Sequence, residues 1–345
     1  MAARRRMSPV LAAGADIAAI GNTPLIPLRH IVPPSSASVF IKLETSNPTG
    51  SHKDRMAASI IAAAEARGAL TPGMKVVKAV DGSTGTSLAF VCAKKGYPFH
   101  AFSSKAFAVE RLLAMATLGA KVDIVPSERY KITAETWARM IEVAAKEVRR
   151  GEAFAVDQFH NRDALSGYEA LGKELLEQVP GGNIDAFCTT VGTAGMAMGV
   201  SGALKAANPA TKVVVLEMWA SPAITHGRAG EHKVEGTGVG FVPPLLDRGL
   251  YDEVRDVDQK SARRMCRHLR RKEGIYAGLL TGLNVLGALE LAKELGRGKS
   301  VVTVACDSAL EHLKGVRTLV RSEELPGDGL PEIDGTDSPE VSQTL

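Results

Sequence analysis

Three segments carry residue types and spacings suited to chemistry. The first, KLETSNPTGSHKDRMAASIIAAAEARG (42–68), sets Lys53 between a turn-rich NPTGS and a helix with apolar Met56, Ile60 and Ile61. A cation at a helix N-terminus opposes the helix dipole, so propensity alone does not choose it. A lysine held there partly dry has its ammonium form disfavoured. That favours the neutral amine, which attacks an aldehyde. An isolated lysine in such a loop is usually only solvated, and two further segments shift that balance.

The second segment is GTAGM (192–196), directly after the apolar run DAFCTTV and directly before a helix. Glycines there let backbone approach a ligand, and the free N–H groups of a helix start bind a phosphate dianion. Alone it is weak evidence, because many turns between strand and helix hold two glycines. The third is DGSTGTS (81–87), again between a strand and a helix. Its hydroxyls and N–H groups suit a carboxylate, and equally suit a capped helix start.

These loops need elements to hold them. The chain reads repeatedly as a short apolar run, a Gly-rich turn and an amphipathic helix. Strands are expected at 74–80, 98–104, 121–127, 153–159, 185–191, 212–218 and 299–306. Between them lie helices such as VERLLAMATLG, TAETWARMIEVAAKEVRRG and NVLGALELAKELG. Alternation of this kind predicts an α/β fold with mainly parallel sheets covered on both faces. Two such series suggest two sheet domains, with a break near Asp157–Asp163. From Ser322 the chain is acidic, with several Gly and Pro and no Lys or Arg, and reads as a loosely attached tail.

Composition narrows the class. A length of 345 residues accommodates two α/β domains, and 45% apolar with 23% charged residues is ordinary for a soluble globular protein. A net charge of +4 with interspersed signs and few aromatics argues against nucleic acid. No apolar stretch reaches membrane-spanning length. Cys92, Cys188, Cys266 and Cys306 form no CxxC pair and read as reduced, buried thiols of a cytoplasmic protein.

Together KLETSNPTGSHKDR, VERLLAMATLGA, DQF, GTAG, SPAITHGRAGEHKVEGTGVGFVPPLL and EGIYAGLLTG resemble the fold type II pyridoxal-phosphate (PLP) enzymes, in the cysteine synthase and cystathionine β-synthase branch. The resemblance runs from GNTPLIPL (21–28) to about 306–313. It implies two three-layer αβα domains, tryptophan synthase β-like: a smaller, mobile one at 40–158 and a larger one at 14–39 plus 159–320, with 322–345 as tail. It also implies a homodimer, pyridoxal 5'-phosphate as cofactor, a small amino-acid substrate and no metal. Lys53 corresponds to the Schiff-base lysine and proton carrier. Gly192, Thr193, Ala194, Gly195 and Met196 correspond to the phosphate cup. Thr281 falls where the family sets a hydroxyl against the pyridine nitrogen. Ser83 takes the position beside the cofactor's phenolic oxygen. Asp81, Gly82, Thr84 and Gly85, assisted by Gln158, correspond to the loop for the substrate carboxylate.

The sequence departs from the family in that loop, which usually reads TSGNTG. Ser83 replaces an asparagine, and Asp81 puts an anion where a serine is usual. Asp81 either turns outward to cap the following helix or selects the substrate. Met196 replaces a hydroxyl residue, Leu280 a small serine near the ring, and His160-Asn161 the usual Asn-Pro. Trp219, His226 and Arg228 fall near the mobile or dimer-facing region. The implied reaction is β-replacement through an aminoacrylate, joining an O-acetylserine-like donor to sulfide or a thiol. The alternatives are β-elimination, as in a cysteine desulfhydrase or a serine or diaminopropionate lyase, and a catalytically silent PLP-fold partner protein. GTAGMAMG lacks the spacing of a dinucleotide fingerprint.

Overall fold

The computed structural model describes residues 16–80, 82–105, 107, 109–127, 134–151, 153–232 and 234–309. Ten strands among them build two sheets. The larger has the order β1 (Leu25–Pro27), β2 (Ser38–Leu43), β10 (Ser300–Ala305), β7 (Ala186–Thr190), β8 (Lys212–Met218), β9 (Glu253–Val257). Only the β1–β2 pair in it is antiparallel. The smaller has the order β5 (Lys121–Ile124), β4 (Phe99–Ser103), β3 (Lys75–Ala79), β6 (Ala153–Ala155), and every pair is parallel. The expected α/β class and parallel sheets are therefore present. Residue 40, the expected start of the smaller domain, falls inside β2 of the six-stranded sheet. The acidic tail lies outside the described residues.

Parallel strands covered on both faces need continuous apolar runs rather than alternation. β7 is buried at every position, and β8 at all but its first. The covering helices are α1 (Lys53–Ala66), α2 (Ser83–Lys95), α3 (Val109–Thr117), α4 (Ala134–Arg149), α5 (Asp163–Gln178), α6 (Gly195–Ala207), the short α7 (Ala223–His226), α8 (Gln259–His268) and α9 (Leu279–Leu295). The expected strand at 153–159 ends early, at Ala155. Asp157 instead turns the chain, accepting from the Phe159 and His160 N–H groups. No helix among the described residues is long and apolar enough to cross a membrane.

A buried charge network fixes the start of α1. Lys42 on β2 is fully buried and pairs with Glu174 of α5 at 2.6 Å. Arg55, two residues beyond Lys53, donates to Glu44 at 2.7 and 2.9 Å and to Glu174 at 2.7 and 2.8 Å. Two cations and two carboxylates thus neutralise one another where an unpaired charge would be costly. Burial opposes ionisation of Glu174, but hydrogen bonds from Arg55 and Lys42 outweigh it and hold this carboxyl at about 2. Burial pushes the Lys42 ammonium below its usual range.

Candidate active site

Lys53 opens α1 and is half-buried. Its backbone N–H donates to Ser51 Oγ at 3.2 Å. Its neighbour His52 is buried, with Nδ1 3.4 Å from the Cys306 carbonyl oxygen and its ring 5.9 Å from that of Tyr168. Burial, with the Lys53 charge adding, pushes the His52 imidazole down to about 3. The ring beside the lysine is therefore neutral at ordinary pH.

Lys53 and His52 line a cavity. The opposite wall is the turn from β7 into α6. Thr190, Gly192, Thr193, Ala194, Met196 and Ala197 line it there, and Gly236, Leu280 and Cys306 complete it. Four of the five residues expected as a phosphate cup thus face Lys53. Gly195, the first residue of α6, lies behind that wall, where an added Cβ would meet the Tyr168 ring.

Two backbone features shape the wall. Ala194 has φ 67°, a conformation costly for a residue with a side chain and concentrated at functional sites. Gly192 passes so close to the next loop that a Cβ would lie 2.1 Å from the Gly236 carbonyl oxygen. The first helical hydrogen bond of α6 runs from Met198 N–H to the Ala194 carbonyl at 2.9 Å. The N–H groups of Gly195, Met196 and Ala197 precede it and have no acceptor within the helix. Among the described residues, no carboxylate lines the cavity. A helix start with unspent N–H groups beside a lysine amine fits a phosphorylated aldehyde.

Among the described residues, Gly82 to Gly85 and Gln158 do not line this cavity. Gly82 is the N-cap of α2, and its carbonyl accepts from Gly85 N–H at 2.8 Å. Ser83 is half-buried; Thr84 and Gly85 are buried. Thr84 Oγ1 donates to Gln158 Oε1 at 2.8 Å, so two residues far apart in sequence meet. Asp81 lies outside the described residues. Thr281, expected at the ring nitrogen, is buried, and its hydroxyl donates to Asp307 Oδ1 at 2.7 Å. Asp307 also accepts from the N–H groups of Leu280 and Thr281, and so caps α9. The cavity wall at this point is Leu280.

His52, Thr190, Gly236 and Cys306 were not singled out from the sequence. Adjacency to Lys53 was the available signal for His52, and the glycine-rich 232–243 run for Gly236. Cys306 has no local signal, because only the register of β10 brings it to the cavity.

Two mainly parallel sheets, with a cavity at the larger one that joins a lysine to a helix start, fit a PLP-binding architecture. A model of the family described as pyridoxal-phosphate dependent enzymes matches residues 17–307, and the chain belongs to that family. It is an enzyme, and its cofactor is pyridoxal phosphate. A cysteine synthase from Staphylococcus aureus is 38% identical over 286 residues, covering 83% of this chain and 90% of that protein. An O-ureido-L-serine synthase from Streptomyces lavendulae is 32% identical over 295 residues, covering 85% and 89%. The crystal structure of O-acetyl serine sulfhydrylase isoform 3 from Entamoeba histolytica superposes with a TM-score of 0.82 at 28% identity, covering 90% and 93%.

Proposed function

We propose that the protein catalyses β-replacement on a β-substituted L-amino acid, with an O-acetylserine-like donor and sulfide or a thiol as the incoming nucleophile. The observation that carries this reading is the shared cavity of Lys53 and the α6 N-terminus. The cysteine synthase and O-ureido-L-serine synthase relatives support the reaction class.

Bound pyridoxal phosphate supplies an electron-withdrawing ring that acidifies the C–H bond beside the substrate's amino group. Lys53 would hold the cofactor and carry the proton taken from that carbon. Gly192 to Met196 would hold the phosphate end through backbone N–H groups. Ser83 would serve the ring oxygen. Gly82, Thr84 and Gly85 would receive the substrate carboxylate, with Gln158 bonded to the Thr84 hydroxyl. Neutral His52 keeps a second cation away from Lys53, and Leu280 gives the ring an apolar wall. In this reading Thr281 serves the α9 cap.

The proposal includes a cytoplasmic homodimer whose four-stranded body moves during turnover. Its support is Trp219, 67% exposed at the end of β8, and four cysteines outside any disulfide. The test is a panel of β-substituted L-amino acids assayed with and without sulfide. Consumption of sulfide with formation of a new thiol amino acid is the expected result. Keto-acid release that sulfide does not suppress would replace this reading with β-elimination.

A further inference from the structure

One side chain outside the cavity touches both loops that the proposed reaction must hold together. Arg111 stands in the first turn of α3 and is mostly buried, its side chain 11% exposed. Its guanidinium lies directly on the backbone of Gly82: a Cβ there would fall 1.9 Å from Nη1 and 2.9 Å from Cζ. The same Nη1 donates to the carboxylate of Glu235. Glu235 immediately precedes Gly236, which lines the cavity and packs its carbonyl against Gly192.

Arg111 is therefore a strut. Its Nη1 makes both contacts: it presses on the turn that begins α2 and is fastened to the loop that carries Gly236. Gly82 makes room for it, since any side chain would displace the guanidinium. A broad guanidinium can fill the space beside the Gly82 backbone while donating to a carboxylate; a compact ammonium does not match both.

We propose that Arg111 is a positioning residue. Its ion pair with Glu235 sets the Gly82 turn at the correct distance from the cavity and thereby governs affinity for the amino-acid donor. This rests on the reading of Gly82 to Gly85 as the carboxylate loop. Arg111 touches neither the cavity nor Lys53, so its loss acts on donor binding and leaves cofactor occupancy alone.

The test uses holoenzyme and O-acetyl-L-serine, following the visible absorption of the bound cofactor and steady-state turnover with sulfide. Arg111→Ala is expected to raise KM for the donor about tenfold, the scale of one lost charge-assisted contact, with kcat and cofactor occupancy nearly unchanged. Arg111→Lys recovers only part of the loss. Glu235→Gln raises KM in the same direction, and the double variant is no worse than Arg111→Ala alone. If Arg111→Ala does not fold, Glu235→Gln carries the test by itself. An unchanged KM in the folded variants, or strictly additive effects of the two, overturns the proposal. Absence of any wild-type absorption response to the donor refutes the underlying reading. A normal wild-type response that Arg111→Ala shares refutes only the strut.

Discussion

Thr281 and Asp307 are joined by several hydrogen bonds: the hydroxyl donates to Asp307 Oδ1 at 2.7 Å and the backbone N–H donates to the same oxygen at 2.8 Å, while the Asp307 N–H donates back to the hydroxyl at 3.3 Å. The carboxylate thereby satisfies the first donors of α9, which would otherwise be buried without partners. Replacing Thr281 with valine keeps the shape and removes a hydroxyl that donates to Asp307 and accepts from its N–H. The variant is expected to lose about 1 kcal/mol of stability in urea titration while the absorption maximum of bound cofactor stays fixed. A shifted maximum would show that the hydroxyl serves the cofactor after all.

In the proposed reading, Lys53→Ala removes the amine that holds the cofactor. The expected variant keeps its circular dichroism spectrum and loses both turnover and the visible band of the bound cofactor. Full activity in this variant would end the functional reading, whatever the fate of the other predictions.

Gly192→Ala tests the cavity wall. The new Cβ would collide at 2.1 Å with the carbonyl oxygen of Gly236, a backbone atom that cannot swing aside. Cofactor affinity should fall at least about tenfold, the ratio set by 1.4 kcal/mol. Gly202→Ala, inside α6, meets nothing within 4 Å and serves as the control. Equal cofactor affinities in the two variants would remove this turn from the binding site.

Glu174→Ala leaves the buried Lys42 and Arg55 short of a counter-charge. A cost of about 3–5 kcal/mol is expected, read from urea midpoints. Glu174 titrates at about 2 in the folded chain against 4.5 ordinarily. Its contribution is therefore complete above about 4.5 and fades as pH falls toward about 2. Urea midpoints of wild type that stay level through this acid range would contradict the arrangement.

His52 titrates at about 3 against 6.5 ordinarily, because burial disfavours its charged form. The unfolded chain binds that proton first, so stability is complete above 6.5 and declines as pH falls through that value toward about 3. Between 6.5 and 4.5 this effect precedes the loss from Glu174. His52→Asn should flatten the stability profile in that interval. A slope equal to the wild type's there would assign it to another group.

The alternating strand and helix pattern determined the α/β class, and NPTGSHK and GTAGM determined where a lysine and an anion-binding turn would stand. These are local properties: apolar runs bury, glycine turns permit close approach, and helix starts present N–H groups. The pairing of Thr84 with Gln158, the arrival of Cys306 at the cavity and the strut from Arg111 to Gly82 and Glu235 were decided only in three dimensions. So was the difference between Thr281 and Leu280, adjacent on one helix, of which one turns to Asp307 and the other to the cavity. Neighbouring helical residues face about 100° apart, and which one meets the site depends on how the helix is rotated against its sheet. Packing sets that rotation, and the spacing of residues along the chain does not record it.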